Sequence, residues 1–155
     1  MSYAASRPRY GAGVAASLSA ELVFILLTMP VLALMGKDIW AVVRMPAALI
    51  AGPQVMEPPG MVPSDVLLGL AMHIGLGIVV GVLYAILLPR LGLAPITGGL
   101  VAGAVLYLLG FVILPAGFPE WLAPFRLPPL MHMVEIVTHA VYGAVFGLAY
   151  RKLTT

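Results

Sequence analysis

Two histidines in this sequence begin the same short string, and paired histidines inside a protein can bind iron or carry protons. Each histidine is followed by glycine after four residues, by another glycine after four more, and by tyrosine after three more. The strings are His73, Gly77, Gly81 and Tyr84, and then His139, Gly143, Gly147 and Tyr150. The two imidazoles could be the axial ligands of one haem b, with the four glycines forming a flat wall beside the ring.

The same glycines have a second interpretation. Two small residues four positions apart let transmembrane helices approach closely. The two helices that carry the strings would then pack directly against each other, and the histidines would hydrogen-bond to each other or to a carbonyl. A haem would separate helices that the glycines otherwise bring together, so the two interpretations compete. We favour packing.

A metal site is a further alternative near the second string. His132, Glu135 and His139 follow one another at spacings that place them along one helix face. Histidine and glutamate suit zinc, copper or iron, and His73 from another helix could complete the set. His132 also lies near the predicted end of its helix, where water could hydrate it instead.

Glu21 stands alone among apolar neighbours. We expect a carboxyl there to be protonated, or to be paired with a histidine or with a nearby serine such as Ser17 or Ser19. Together with Glu135 and the two repeated histidines, Glu21 could form a proton or ion path of the kind that transporters use. A structural hydrogen-bond cluster is the interpretation that we favour.

A second set of residues also occurs twice, ahead of each histidine string. An acid is followed by tryptophan, then by arginine and then by proline. Arginine over an indole ring forms a cation–π contact, and both side chains favour the membrane interface. We predict two interfacial clamps on lipid headgroups or on the loop acids. The clamp residues are Trp40 and Arg44 with Asp38, and Trp121 and Arg126 with Glu120.

The composition defines the elements that must position these residues. The chain is 62% hydrophobic and 9% charged, which cannot cover a soluble surface. Each of its four long apolar runs meets the roughly 20 residues that a helix needs to cross a bilayer. We therefore predict an all-α integral membrane protein with four transmembrane helices. The runs extend over about 12–35, 66–89, 93–115 and 131–150.

The repeated strings divide a single membrane domain, 1–155, into two units. The first extends over about 12–89 and the second over about 93–152. Two spans per unit return the chain to its starting side, so the predicted copies are parallel and related by a pseudo-twofold axis along the membrane normal. The Trp-Arg-Pro segment of each unit is expected to be interfacial or re-entrant.

Basic residues favour one orientation. Arg7, Arg9, Arg90, Arg151 and Lys152 share one side of the four-span arrangement. Their excess predicts cytoplasmic amino and carboxyl termini in a bacterial inner membrane. The net charge of +2 requires no nucleic acid, and the lack of cysteine excludes thiolate chemistry. No hydrolase, phosphate-binding or dinucleotide-binding motif occurs, so we expect no enzyme.

Three stretches carry a resemblance to known proteins: Trp40 to Met45, Leu88 to Leu91, and His139 to Tyr150. The chain resembles small bacterial inner-membrane proteins of unknown function, broadly of the YagU type, over most of residues 12–152. The resemblance implies a four-helix inner-membrane protein and brings no settled activity. Glu21, His132 and Glu135 have no place in the family pattern.

Three functions remain open from the sequence. The first is a structural or accessory bundle that self-associates or joins a larger membrane complex. The second is a haem or transition-metal protein linked to electron transfer. The third is a small oligomeric transporter or channel that uses Glu21, His73 and His139. The expected partners are membrane lipid and either further copies of this chain, in a homo-oligomer, or the other subunits of a larger membrane complex.

Overall fold

The computed structural model describes residues 8–155, which contain helices and no β-strand. Arg7, which counts toward the predicted orientation, lies outside the described residues. A shorter helix lies between the first two long ones, and short 3-10 turns occupy Pro53–Met56 and Ala123–Phe125. The helices are α1 Tyr10–Leu34, α2 Ala41–Ala51, α3 Pro63–Leu91, α4 Pro95–Gly117 and α5 Pro129–Thr154.

Helices α1, α3, α4 and α5 are long and apolar enough to cross a membrane, which confirms the predicted all-α, four-span class. Proline opens α3, α4 and α5, at the position where its missing N–H costs nothing. Helices α3 and α5 extend a few residues beyond the predicted apolar runs at both ends, and the added residues include charged ones such as Asp65 and Arg151. Long charged side chains at helix ends can reach the headgroup region.

Large apolar side chains are exposed on the outside of all four long helices. Examples are Leu26 on α1, Leu67 on α3, Ile113 on α4 and Val137 on α5, each more than half exposed. Such a surface is unfavourable in water and suits a lipid environment. The chain is therefore a small multi-pass integral membrane protein.

The long helices pack as a row in the order α3, α1, α5, α4. The two outer helices, α3 and α4, meet near the turn that joins them, where the Tyr84 hydroxyl donates to the Pro95 carbonyl. We call the end of the bundle with this turn, the start of α1 and the end of α5 the terminal end; there Arg9 donates to the Thr154 carbonyl at 2.7 Å. The distal end is the opposite end, with segments 35–62 and 118–128.

The glycines of the two strings pack within each half of the bundle. A Cβ on Gly81 of α3 would lie 2.6 Å from the Val14 Cα of α1, and a Cβ on Gly147 of α5 would lie 2.6 Å from the Ile96 Cα of α4. The prediction that α3 and α5 pack directly through these glycines is therefore wrong. A glycine face permits close approach but does not select the partner, and α1 and α4 supply matching small residues at Gly13 and Gly99.

Helix α2 lies against the distal part of α3. Gly69 of α3 approaches α2 so closely that a Cβ would lie 3.1 Å from the Arg44 Cα. Val42, Val43 and Ala47 of α2 are buried. The segment that was expected to be interfacial or re-entrant is thus a short helix packed on the bundle.

Candidate functional site

A cavity of about 550 Å³ lies among α1, α3, α4 and α5 and reaches the distal end, where α2 lines it. Apolar side chains form most of its wall. Its deeper part is polar, because ionisable side chains from three helices line it. These are Glu21 of α1, His73 of α3, and Glu135, His139 and Tyr142 of α5.

The two repeated histidines lie at matching depth. His73 and His139 each stand ten residues after the first residue of their helix, Pro63 or Pro129. At 1.5 Å per residue, both lie about 15 Å from those helix starts. Both line the same cavity, and neither faces the lipid side of the bundle.

Glu21 and His73 form a buried pair across the α1–α3 interface. His73 is 5% exposed, and its Nδ1 lies against Glu21 Oε1. Its Nε2 is 3.0 Å from the Val42 carbonyl oxygen of α2. A carbonyl only accepts, so Nε2 must carry a hydrogen. The contact between Nδ1 and the carboxyl then needs one further proton, held by either partner. The pair is therefore a site for a single proton, and it is formally neutral when that proton is bound.

Glu135 and His139 form a second pair within α5. His139 Nδ1 is 2.8 Å from the Glu135 carbonyl oxygen and 3.4 Å from the carboxylate Oε2. The Thr138 hydroxyl is 3.4 Å from the same Oε2. Phe24 and Phe111 surround the imidazole edge-on, with ring centroids at 5.1 and 5.6 Å. The two histidines thus have different environments, since one pairs across helices and the other within a helix.

Thr28 is a cavity residue that the sequence analysis missed. It is 1% exposed, and its Oγ1 has no hydrogen-bond partner within residues 8–155. It lies seven residues after Glu21 and so on nearly the same face of α1. This spacing was the only feature of the sequence that could have indicated Thr28 as a cavity residue. A threonine in a helix normally donates its hydroxyl to a preceding backbone carbonyl, so its presence alone predicts no site.

The predicted metal ligands do not come together as one set. Within the described part of the chain, no three His, Cys, Asp or Glu side chains are grouped so that they could hold a metal ion. The predicted ligands instead take part in separate contacts. His132 Nδ1 is 3.0 Å from the Tyr107 hydroxyl, Glu135 pairs with His139, and His73 pairs with Glu21.

The geometry also differs from the predicted haem site. Both nitrogens of His73 are hydrogen-bonded, to Glu21 and to Val42, so this ring has no free nitrogen for iron. Of the four glycines expected to wall the ring, only Gly77 lines the cavity. The other three lie against the backbone of a neighbouring helix: Gly81, Gly143 and Gly147.

The two predicted clamps have different structures. Arg44 is fully buried and donates to the carbonyls of Pro58 and Gly60 at 2.9 and 2.7 Å, and to Asp38 at 3.3 Å. Arg126 is exposed, and its guanidinium forms no hydrogen bond or ion pair with residues 8–155; only its backbone N–H donates, to the Ala123 carbonyl. Trp40 packs against the core, whereas Trp121 is 48% exposed. Among the described residues, no arginine stacks on either indole.

No family model, no curated protein and no solved structure matches the chain. The resemblance to the YagU type therefore stays a prediction, and the function has to be inferred from the cavity and the residues that line it.

Proposed function

We propose that this protein is a small membrane transporter that exchanges a small molecule for a proton. One observation carries the proposal: a cavity of about 550 Å³ connects the distal end with the buried Glu21–His73 pair. The pair can hold or release one proton, and the cavity can hold a ligand beside it.

The position of the pair supports a role beyond packing. An ionisable group inside a membrane is costly, and intramembrane carboxylates and histidines commonly mark substrate or proton paths. A purely structural pair is best served by close packing on all sides. Glu21 and His73 instead border open volume, as do Glu135 and His139.

Aromatic packing blocks the path from the cavity to the terminal end. Between Tyr142 and the terminal end, the ring centroids of Tyr84 and Phe146 lie 4.2 Å apart. Tyr150 packs edge-on against Tyr84, with ring centroids 5.0 Å apart. All three side chains are buried. In our proposal this conformation is the one that is closed at the terminal end, and transport requires these rings to separate.

The test is proton flux in liposomes. Purified protein is reconstituted into vesicles with an acidic, dye-containing lumen, and a panel of cationic, neutral and anionic amphiphiles is added outside. We expect at least one compound class to drive proton efflux, and we expect Glu21→Gln to reduce this efflux to that of protein-free vesicles. Glu120→Gln, in the exposed distal segment, is the matched control and should leave the flux unchanged. If no compound produces flux that depends on Glu21, the exchange function is excluded.

A further inference from the structure

The ionisable lining of the cavity is acidic. It contains the carboxylates of Glu21, Asp38 and Glu135 and one ammonium group, that of Lys37. Asp38 already pairs with Arg44 at 3.3 Å near the distal end. Glu21 and Glu135 are therefore the carboxylates that a ligand would meet in the deeper part. In their ionised form, and in a medium of low dielectric, they attract a cation and repel an anion.

The remaining wall of the cavity is apolar and fits an organic cation better than a metal ion. Leu76 and Val80 of α3 and Leu106 and Leu109 of α4 line it, and Phe24 of α1 adds an aromatic ring. A small hard cation needs several oxygen ligands around it. The described residues provide no group of three such side chains.

Thr28 supplies a second, independent contact for a ligand. Its buried hydroxyl borders the cavity and has no partner within the described residues. It lies seven residues from Glu21, which corresponds to about 10 Å along the helix axis. A ligand with a hydrogen-bonding group at that distance from its charge would satisfy Thr28 and neutralise Glu21 together.

We infer that the cavity binds an amphipathic organic cation, with its charge beside Glu21, its apolar body between α3 and α4, and a hydrogen-bonding group at Thr28. The inference rests on the proposed function in taking the cavity as a ligand site. It does not require that the ligand crosses the membrane.

Cation binding releases a proton by charge balance. When a cation takes the Glu21 carboxylate, the proton shared with His73 leaves, and His73 remains neutral with its Nε2 hydrogen on the Val42 carbonyl. The neutral protonated pair is thereby replaced by a neutral set of carboxylate, imidazole and cation, and the released proton carries the one positive charge away, so the net charge of the site does not change. Several other titratable or charged groups surround the cavity and could contribute to a pH dependence. They are Lys37 and Asp38 at the distal end, Arg44 of α2, Tyr107 of α4, and His132, Glu135, His139 and Tyr142 of α5.

Two probes of equal shape and opposite charge test the inference on the unmodified protein. Tetraphenylphosphonium and tetraphenylborate are titrated into purified protein by calorimetry, in buffers with different ionisation enthalpies. We expect the phosphonium to bind with release of about one proton per site, as the single shared proton of the pair requires. The borate should bind at least tenfold more weakly. Equal binding of both ions, or binding without proton release, would overturn the inference and indicate a volume that lipid chains simply fill.

The Thr28 contact has its own test. Octyltrimethylammonium and its ω-hydroxy derivative differ only in the terminal hydroxyl. We expect the hydroxyl to increase affinity about threefold to tenfold, which is the effect of one added hydrogen bond. This gain should vanish in Thr28→Val, which keeps the side-chain shape, and should persist in Thr97→Val, at an exposed position of α4. An equal gain in all three proteins would remove Thr28 from the site.

The liposome and calorimetric experiments can fail separately. Phosphonium binding with proton release, but without Glu21-dependent flux, would support the cation site and exclude exchange. Flux driven by neutral or anionic compounds, without phosphonium binding, would support exchange and exclude the cation site.

Discussion

A buried arginine must find acceptors for five N–H groups, and Arg44 finds them in Asp38 and in the loop that follows α2. Its Nε and Nη2 donate to the Val55 carbonyl, Nη2 also to Pro58, and Nη1 to Gly60 and Asp38. Asp38 in turn accepts the Gly60 N–H at 2.8 Å. One side chain therefore holds the loop 52–62 against α2, the helix whose Val42 carbonyl accepts from His73.

Replacement of this guanidinium by an ammonium should destabilise the fold. Lysine cannot span carbonyls on several sides, so Arg44→Lys leaves buried acceptors unpaired. We expect a loss of about 3 kcal/mol in the free energy of unfolding, measured by denaturant titration in detergent with tryptophan fluorescence. Arg126→Lys, at an exposed position, should change it by less than about 0.5 kcal/mol. Equal effects of the two substitutions would contradict the buried network.

At the scale of elements, the glycines bring the long helices into two closely packed pairs. Gly81 joins α3 to α1, and Gly147 joins α5 to α4. In each pair, the helix with the histidine string packs on the long helix that precedes it in the chain. The parallel repeat and its division of the chain stay predictions. In the proposed transport cycle, the pairs would move as units about the α1–α5 interface.

A methyl group at these contacts should separate the helices. Gly81→Ala would place its Cβ within 2.6 Å of the Gly13 carbonyl oxygen, and backbone atoms cannot move aside as a side chain can. We expect a destabilisation of about 1–3 kcal/mol in the same unfolding titration. Gly75→Ala is the matched control on the same helix, because a Cβ there meets nothing within 4 Å. If the control were as unstable as Gly81→Ala, helix packing would not be the cause.

At the scale of the whole molecule, the four spans could be predicted from the sequence because hydropathy and length alone decide which segments cross a bilayer. Which of these helices pack against one another could not be predicted from the sequence. The glycine string with Gly81 predicts a close contact between helices, but it does not identify the partner helix. For Glu21 a histidine or serine partner was predicted, and the α1–α3 packing selects His73.

Other parts of the site could not be read from the sequence for physical reasons. The acceptors of Arg44 are backbone carbonyls of an irregular loop, and no side-chain pattern encodes their positions. The two Trp-Arg-Pro segments look alike, but only the first has a long loop after it to enclose the arginine. The cavity is lined by residues of all four long helices, so it depends on their tertiary packing.

The orientation of the bundle in the membrane determines from which compartment a ligand would enter the cavity. Among residues 8–155, the terminal end carries four basic residues, Arg9, Arg90, Arg151 and Lys152, whereas the distal end carries three, Lys37, Arg44 and Arg126, of which Arg44 pairs with Asp38. Because loops rich in basic residues stay in the cytoplasm, we predict that the terminal end is cytoplasmic and that the cavity reaches the opposite face of a bacterial inner membrane.

Single cysteines can test this orientation, because the chain has none of its own. Ser64→Cys lies at the distal end and Thr155→Cys at the terminal end, and both positions are exposed. The experiment uses bacterial cells whose inner membrane is intact and whose outer membrane does not block the reagent. In these cells, a membrane-impermeant maleimide should label Ser64→Cys and leave Thr155→Cys unlabelled. Thr155→Cys should react only after the cells are permeabilised. The reverse pattern would place the distal end in the cytoplasm, so that this conformation of the cavity would take its ligand from inside the cell.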